Sequence, residues 1–169
     1  RQGNRKEASY FTGWPEQPQA EFLAPEGYEA VYRSNAVTKH GEHGNALLSR
    51  WPVIECRHED MSDHRFEQRG LLHAKLLVAG VTVHAIVVHF GLIPSSRVRQ
   101  TAHLKAYIAR EIPLDEPVVV AGDFNDWGTR VRQLLHVDSL HAFEAVSYTN
   151  LTLPTILLVQ ISEVADSLL

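Results

Sequence analysis

Short apolar segments separated by polar turns follow one another along most of the chain, and their lengths are typical of strands. The strand candidates share an apolar or alternating pattern, and they are residues 28–33, 45–50, 69–78, 81–90 and 118–121. Ala79 and Gly80 separate the third candidate from the fourth, which predicts a tight turn and an antiparallel hairpin. Residues 1–27 and 35–44 are polar and broken by proline or glycine, so we expect loops there, with one short helix at 19–23.

A helical pattern follows the fourth strand candidate. Leucine and isoleucine recur at every fourth residue from 104 to 112, and Ser95 or Ser96 can cap the first turn, which predicts a helix ending near residue 111. Its charged residues are expected to form a solvated face; they are Arg97, Arg99, Lys105 and Arg110. Residues 128–136 predict a shorter helix. Paired strands, a helix and a further strand together predict a mixed α/β domain with sheets buried between layers.

The most informative segment is 117–127, which reads P-V-V-V-A-G-D-F-N-D-W. Its apolar run after Pro117 is typical of a strand buried on both faces, so we expect it mid-sheet, and Gly122 would let other groups approach the backbone closely. In an extended chain Asp123 and Asn125 would point to one face, where the carboxylate could activate a water and the amide could donate to a phosphoryl oxygen. A turn is an equal alternative, because Gly, Asp and Asn all favour turns.

Three histidines carry candidate chemistry. His89 ends the fourth strand candidate beside a glycine. A histidine at such a position is more often a satisfied core residue than a functional one, and the residues alone leave both interpretations open. His40 and His43 could hold a metal, but a solvated glycine-rich loop is the favoured interpretation of that segment.

The composition narrows the class of protein. The chain has 169 residues, a net charge of −4 and a pI near 6.2, so it can bury a core and carries no overall positive field that would attract nucleic acid or anionic membranes. Cys56 is the single cysteine, which excludes an internal disulfide and fits a reducing compartment. No apolar run approaches the ~18 residues of a membrane span and no signal segment is recognisable, so we expect a soluble, cytoplasmic monomer.

The two ends differ from the middle of the chain. The sequence opens on Arg1 and its only methionine is Met61, so we expect that the natural start lies upstream. No lysine or arginine follows Arg132, and from about residue 146 the sequence becomes apolar and rich in threonine. We therefore expect one domain at 1–145 and an atypical, extraneous tail at 146–169.

Several motifs occur in the order and spacing of one known family. They are G-N-A-L-L-S-R-W-P at 44–52, R-G at 69–70, V-V-H-F-G-L at 87–92, R-V-R-Q at 97–100 and V-V-V-A-G-D-F-N-D-W at 118–127. Through them, most of the chain resembles the endonuclease/exonuclease/phosphatase superfamily, and in particular its small bacterial hydrolases. The resemblance implies the DNase-I-like fold, a layered α/β sandwich of two mixed β-sheets flanked by helices, here incomplete at both ends.

The resemblance also implies roles for individual residues. His89 is similar to the family histidine that contacts the scissile phosphate, and Asp123 to the aspartate that orients or activates the attacking water. Asn125 is similar to the amide that steadies the phosphoryl oxygens in the transition state. Asn45 and Arg69 are candidate substrate-binding residues of the same cleft, and a structural role is equally open for both.

The family's cofactor is Mg²⁺ or Mn²⁺, a hard cation that prefers oxygen ligands and neutralises charge on the reacting phosphate. The glutamate that is its main ligand in the family, and the family's terminal Asp-His pair, have no counterpart in this chain, so no residue here is assigned to the metal. Ser62, Asp63 and His64 spell the S-D-H letters of that pair. They precede the strand candidate at 69–78 and are interpreted as a decoy in a loop.

Two function hypotheses follow. In the first, the parent protein is a divalent-metal-dependent phosphoesterase that hydrolyses a phosphodiester or phosphomonoester with activated water, while this fragment alone is inactive. The acidic charge favours a small phosphoester, a phospholipid head group or short single-stranded nucleic acid over duplex DNA. The alternative is a non-catalytic binding module or an inactive copy of the fold, which the missing glutamate and Asp-His pair would favour.

Overall fold

The structure is a computed structural model that describes residues 19–38, 41–126, 128, 130–136, 141–144 and 157–161. Three helices and eight strands lie within these residues. In chain order they are α1 (Gln19–Leu23), β1 (Glu29–Thr38), β2 (Gly41–Ser49), β3 (Val53–Asp60), β4 (Gly70–Val78), β5 (Val81–His89), α2 (Pro94–Glu111), β6 (Val118–Asp123), α3 (Arg130–His136), β7 (His141–Glu144) and β8 (Leu157–Ile161).

The strands form two sheets. β1 and β2 pair antiparallel as a two-stranded sheet, and the other six form a mixed sheet in the order β3-β4-β5-β6-β8-β7. Within the larger sheet β5 and β6 are parallel, whereas the other neighbouring pairs are antiparallel. β1 and β2 contact β3, β4 and β5, so the smaller sheet lies against the larger one. The predicted mid-sheet position of segment 118–121 is confirmed, because β6 lies between β5 and β8.

The core lies between the six-stranded sheet and the helices α2 and α3. Its fully buried members include Ile86, Val88, Val118, Val120, Leu104, Tyr107, Val131 and Leu135. Phe90 and Phe124 follow the ends of β5 and β6 and pack edge to face, with ring centroids 4.9 Å apart. Val119 and Ala121 of β6 are only partly buried, so the expected full burial of this strand on both faces is wrong. The core therefore reaches the strand ends on one face of the sheet.

Most of the predicted elements are present. The short helix at 19–23 is α1, and β4 and β5 form the predicted antiparallel hairpin. Ala79 and Gly80 make its turn with φ angles of 50° and 84°, the left-handed values that two-residue hairpin loops require. The helices predicted near 95–111 and 128–136 are α2 and α3.

The loop predicted at 35–44 is wrong, because β1 continues to Thr38 and β2 begins at Gly41. The two strands pair across this region, with Val37 opposite Glu42. A side chain on Gly44 would place its Cβ 2.1 Å from the carbonyl oxygen of Arg33. Gly44 is therefore needed because the two paired strands approach closely at this point. A polar, glycine-rich sequence is equally typical of a loop, so the pattern does not distinguish the two.

β3 was not predicted over most of its length. Its sequence V-I-E-C-R-H-E-D carries charge at four of its eight positions. It is an edge strand of the described sheet, paired on one side with β4. Charged side chains on an edge strand discourage pairing with the strands of other molecules. This position at the edge explains why β3 is a strand although its sequence has no apolar pattern.

The start of α2 also differs from the prediction. Ile93 occupies the N-cap position without a side-chain cap and Pro94 begins the helix, so neither serine at 95–96 is the cap. Ser96 is buried and donates to Asp63 instead, at 2.6 Å. Arg97 does not belong to a solvated face: it is 9% exposed and donates to the carbonyl oxygen of Leu92 at 2.6 Å. Its guanidinium therefore binds the backbone of the loop that leads into the helix.

None of the described helices is long and apolar enough to cross a membrane. In the segment 146–169, which the sequence marks as a tail, the described residues form β8 between β6 and β7. The remainder of that segment lies outside the described residues, and the domain boundary at 145 stays a prediction.

Candidate active site

The parallel pairing of β5 and β6 brings two polar strand ends together. The register pairs His89 with Asp123, the last residues of the two strands. The His89 Nε2 atom lies 3.9 Å from the Asp123 Oδ2 atom. The two side chains are 42% and 31% exposed, so both reach solvent at the carboxyl edge of the sheet. Such an edge is where ligands bind in open α/β sheets.

Gly122 makes this approach of the two strands possible. Its φ of 145° is one that residues with a Cβ rarely adopt. A Cβ on Gly122 would lie 1.9 Å from the Val88 carbonyl oxygen, a distance that no side chain could occupy. Beyond it, the Phe90 N–H donates to the Asp123 carbonyl oxygen at 2.8 Å, which extends the pairing past His89.

Asn125 reaches the same strand end through a turn. Its φ is 49°, and its backbone N–H donates to the Asp123 Oδ1 atom at 2.8 Å. The expected extended arrangement, with Asp123 and Asn125 on one face, is therefore wrong, and the turn is the correct alternative. The Asn125 side chain is 2% exposed and its Nδ2 donates to the Phe90 carbonyl oxygen at 2.7 Å. The turn and this bond together hold the Asp123 carboxylate against the end of β5.

The electrostatic surroundings keep the His89 imidazole neutral at ordinary pH. Burial lowers the pKa of His89, and the positive charge of Arg69 lowers it further. The carboxylates of Asp123 and Glu67 oppose this by raising the pKa. The net direction of the pKa shift is downward, so the ring has one N–H donor and one acceptor nitrogen.

Arg69 lies in the short segment before β4, near enough to His89 to influence it. Its Nη2 donates to the Glu67 Oε1 atom at 2.9 Å, and its side chain is 20% exposed. Its Nε is buried without a hydrogen-bond partner among the described residues. The structure thus places Arg69 within electrostatic reach of His89, and its role in binding a substrate stays a prediction.

Glu67 is a residue of this site that the sequence analysis missed. Its Oε1 also accepts from the Leu92 N–H at 3.1 Å, and its Oε2 lies 3.7 Å from the His64 Nε2 atom. The spacing E-x-R before the glycine that opens β4 is the one sequence signal that could have pointed to it. That signal is weak, because charged residues two apart are common in loops.

Asn45 has a different environment. Its side-chain Nδ2 donates to the carbonyl oxygens of Gly70 and Val87, at 2.7 Å and 3.0 Å, and it is 5% exposed. The residue therefore links β2 to the backbones of β4 and β5 in the other sheet. This geometry favours the structural role that the sequence left open for Asn45.

Replacing Asn45 with alanine is expected to lower the free energy of unfolding by about 2 kcal/mol, because two buried carbonyl groups lose their donor. Chemical denaturation measures this. Asn35, whose side chain contacts His58 at a more exposed position, is the matched control, and its alanine variant should change stability by less than about 0.5 kcal/mol. Unchanged stability of Asn45→Ala together with weaker phosphate binding would instead support the substrate-binding role.

The S-D-H segment at 62–64 has contacts of its own. Asp63 accepts from the Arg99 guanidinium and from Ser96, and these bonds hold the pKa of its carboxyl far below its usual range. They join the loop before β4 to the first turns of α2. His64 contacts Glu67 rather than Asp63, so these residues do not form the Asp-His unit that their letters suggest.

The chain resembles known proteins over most of its length. Its sequence matches the Endonuclease/Exonuclease/phosphatase family over residues 11–145. Uncharacterized protein YbhP of Escherichia coli is 39% identical over 133 residues, which cover 77% of this chain and 52% of that protein. The chain thus spans about half the length of this relative.

Two solved structures share the fold. An endonuclease/exonuclease/phosphatase family protein from Leptotrichia buccalis superposes with a TM-score of 0.65 at 10% identity, covering 88% of this chain and 69% of that one. A mannosyl-6-phosphatase from Bacteroides thetaiotaomicron superposes with a TM-score of 0.61 at 14% identity, covering 81% and 64%.

Fold and strand-end site together define a DNase-I-like α/β sandwich with two sheets and flanking helices, as the sequence predicts. The chain belongs to the endonuclease/exonuclease/phosphatase family. The family consists of hydrolases that act on phosphate esters, and its members generally use divalent metals.

The described residues do not themselves build a metal site. No group of three or more His, Cys, Asp or Glu side chains among them is arranged to hold an ion. Hard divalent cations take six or more oxygen ligands, of which a protein site supplies several, so these residues alone do not fit a resident ion. The sequence also offers His40 and His43 as metal ligands. His43 lies on β2 opposite Ala36, and His40 lies outside the described residues, so this interpretation stays untested.

Proposed function

We propose that the complete protein is a divalent-metal-dependent phosphoesterase that hydrolyses a phosphodiester or phosphomonoester with activated water. The observation that carries this proposal is the 3.9 Å approach of His89 and Asp123 at the ends of two parallel strands, held by the Asn125 turn. Family membership supports the class of reaction, and the mannosyl-6-phosphatase of the same fold supports a phosphate monoester as one substrate type. The chain spans half of its relative, so the proposal concerns the whole protein.

The strand-end residues divide the work between an acceptor and two donors. The Asp123 carboxylate accepts a hydrogen bond from water and can take its proton as the oxygen attacks phosphorus. The neutral His89 ring donates its N–H to a phosphoryl oxygen, where negative charge develops. Asn125 keeps the Asp123 carboxylate in place through its backbone N–H. Its buried amide donates one hydrogen to the Phe90 carbonyl oxygen, so the proposed contact with a phosphoryl oxygen would use the second amide hydrogen.

Arg69 is proposed to bind the non-reacting part of the phosphate. A guanidinium at 20% exposure is weakly hydrated and matches phosphate oxygens in geometry. A divalent ion, Mg²⁺ or Mn²⁺, held by residues other than those described, would neutralise charge on the reacting phosphate.

The assay uses the complete protein that contains this chain, with a model phosphodiester and a sugar phosphate as phosphomonoester. Hydrolysis in the presence of Mg²⁺ or Mn²⁺, lost on chelation and restored by the ion, is the expected result. Tight phosphate binding without hydrolysis of either ester would favour the alternative, a non-catalytic binding module of the same fold.

Duplex DNA is expected to be a poor ligand. The net charge of −4 provides no long-range attraction, and a nuclease that neutralises about six phosphates would show a slope near −5 for log affinity against log salt. We expect a slope between 0 and about −2, corresponding to one or two phosphate contacts. One or two phosphate contacts are enough to bind a short phosphoester or a phospholipid head group. A slope near −5 would show that the substrate is duplex nucleic acid.

We further propose that the protein acts in the cytoplasm as a monomer, with a domain ending near residue 145. The single cysteine, Cys56, has no second cysteine in this chain with which to form a disulfide, which fits a reducing compartment. Size-exclusion chromatography with light scattering of the complete protein checks the monomer, and limited proteolysis checks the boundary.

A further inference from the structure

The carboxylate of Glu67 joins the two segments that border the proposed active site. Its Oε1 accepts from Arg69 Nη2 at 2.9 Å on one side and from the Leu92 N–H at 3.1 Å on the other. Arg69 lies immediately before β4, and Leu92 lies three residues after His89. A single oxygen atom therefore links the arginine segment to the segment that follows the histidine. The Glu67 side chain is 15% exposed, so this link is largely shielded from water.

Gly91 leaves the space that Glu67 occupies. A Cβ on Gly91 would lie 2.5 Å from the Glu67 Oε2 atom. No positive φ is found for Gly91, so its backbone conformation does not itself require glycine. The contact with the carboxylate is the constraint that the structure shows. The backbone of this residue is held separately, because its N–H donates to the Gln100 side chain at 2.8 Å.

We propose that Glu67 is a positioning residue, which holds the Arg69 guanidinium at the phosphate subsite and sets the charge balance around His89. This inference rests on the proposed function for the identity of the substrate group, a phosphate. Glu67 itself touches no reacting atom. It acts through Arg69, whose Nε is buried without a hydrogen-bond partner among the described residues. An arginine so placed and fixed loses little conformational entropy when it binds a phosphate.

The charges around His89 belong to three neighbours. Arg69 disfavours the protonated ring, whereas Asp123 and Glu67 favour it. His64 faces Glu67 from the loop before β4, at 3.7 Å from its Oε2 atom. Removing the Glu67 charge would leave Arg69 less compensated, so His89 would bind its proton more weakly. A residue with a purely structural role would not change the titration of His89.

Two kinds of variant separate the charge of Glu67 from its shape. Glu67→Gln keeps an oxygen that can accept from Arg69 and Leu92 but removes the charge. Gly91→Ala keeps the charge but pushes the carboxylate aside. Glu55→Gln is the matched control, because Glu55 also pairs with an arginine two residues away, Arg57, but at 37% exposure on β3.

The experiment measures the pKa of the His89 ring by NMR and the dissociation constant of inorganic phosphate, both on the complete protein. Glu67→Gln is expected to lower the His89 pKa by on the order of 0.5 unit with little loss of phosphate binding. Gly91→Ala and Glu67→Ala are expected to weaken phosphate binding about three- to tenfold, because Arg69 is released. Glu55→Gln should change neither quantity.

Arg69→Ala gives the largest loss of phosphate affinity that a mispositioned Arg69 can cause. If it weakens phosphate binding while Gly91→Ala and Glu67→Ala bind as tightly as the parent protein, Glu67 does not position the arginine. An unchanged His89 pKa in Glu67→Gln would overturn the electrostatic half of the inference. Neither measurement needs turnover, so a protein that passes both tests yet hydrolyses no phosphoester would contradict the proposed function alone.

Discussion

Replacing Asp123 with alanine is expected to lower kcat of the complete protein on a phosphodiester by about 10³-fold, the loss typical of a missing general base. The carboxylate is the acceptor at the strand-end site, and its Oδ2 lies 3.9 Å from His89 Nε2. Because Asp123 Oδ1 also accepts from the Asn125 backbone, the alanine variant loses the turn as well as the base. Steady-state kinetics measure the combined effect.

Asp123→Asn separates the two contributions. The asparagine oxygen can still accept from the Asn125 N–H, so the turn is retained, but the amide cannot take a proton from water. We expect kcat to fall nearly as far as in the alanine variant, with a thermal midpoint close to that of the parent. Asp115, exposed in the loop before β6 at the opposite end of the strand, is the control. Normal turnover in Asp123→Asn would show that another group activates the water.

The strand-end histidine and aspartate could be predicted because the sequence marks where each apolar run stops. Val87 and Val88 lead directly to His89, and the valines from 118 to 120 lead to Gly122 and Asp123. Parallel pairing of β5 with β6 then brings the carboxyl ends of the two strands together. The apolar runs thus predict both the strands and the position of the site.

The conformation of Asn125 could not be predicted in the same way. An aspartate and an asparagine two residues apart fit both an extended chain and a turn, and local propensities favour neither decisively. The choice is made by Phe90, whose carbonyl oxygen accepts from the asparagine amide across 35 residues of sequence. Only the packed β5–β6 pair provides that partner.

The sequence analysis misses Glu67 and wrongly assigns Arg97 to a solvated face, both for a related reason. Each is a charged residue in a polar stretch, which a sequence pattern assigns to solvent. In the structure both bind backbone groups of the segment 91–92 that follows β5. These backbone partners lie in an irregular segment outside the helices and strands. Both contacts therefore depend on how the end of β5 packs against the start of α2.

A second group of titratable residues lies in the core, away from the strand-end site. His73 of β4 is 2% exposed and His84 of β5 is fully buried. The His73 Nδ1 lies 2.9 Å from the Tyr107 hydroxyl, and its Nε2 lies 2.8 Å from the His84 Nδ1. The His84 Nε2 contacts a carboxylate oxygen of Glu116. The four side chains form one line of hydrogen bonds from α2 to the loop before β6.

Proton positions along this line follow from its acidic end. When both imidazoles are neutral, the His84 Nε2 donates to the Glu116 carboxylate, which only accepts, and the His84 Nδ1 is left as an acceptor. The His73 Nε2 must then donate to it, and the Tyr107 O–H must donate to the His73 Nδ1. Burial raises the pKa of Tyr107 to about 12, so its hydroxyl keeps the required proton. An additional proton on His73 would displace the Tyr107 hydrogen bond.

The stability of the fold is therefore expected to fall in mild acid. Burial lowers the pKa of His73 to about 4, with further lowering by any proton that His84 takes up and by the positive charges of Lys75 and Arg57, and with a smaller opposite effect of Glu55. In the unfolded chain the pKa is near 6.5, so the unfolded state binds the extra proton first. The contribution of His73 is complete above about pH 6.5, is lost progressively as the pH falls toward 4, and totals about 3 kcal/mol.

Urea denaturation at pH 7.5 and pH 4.5 measures this loss, and the variant His73→Gln isolates it. Glutamine can accept from Tyr107 but does not titrate, so the variant should be less stable than the parent at pH 7.5 and lose about 2–3 kcal/mol less between the two pH values. His103, which is 37% exposed and contacts Glu59, is the control, and His103→Gln should leave the pH dependence nearly unchanged. Equal losses in the parent and His73→Gln would mean that the buried imidazole pair is not what makes the fold sensitive to acid.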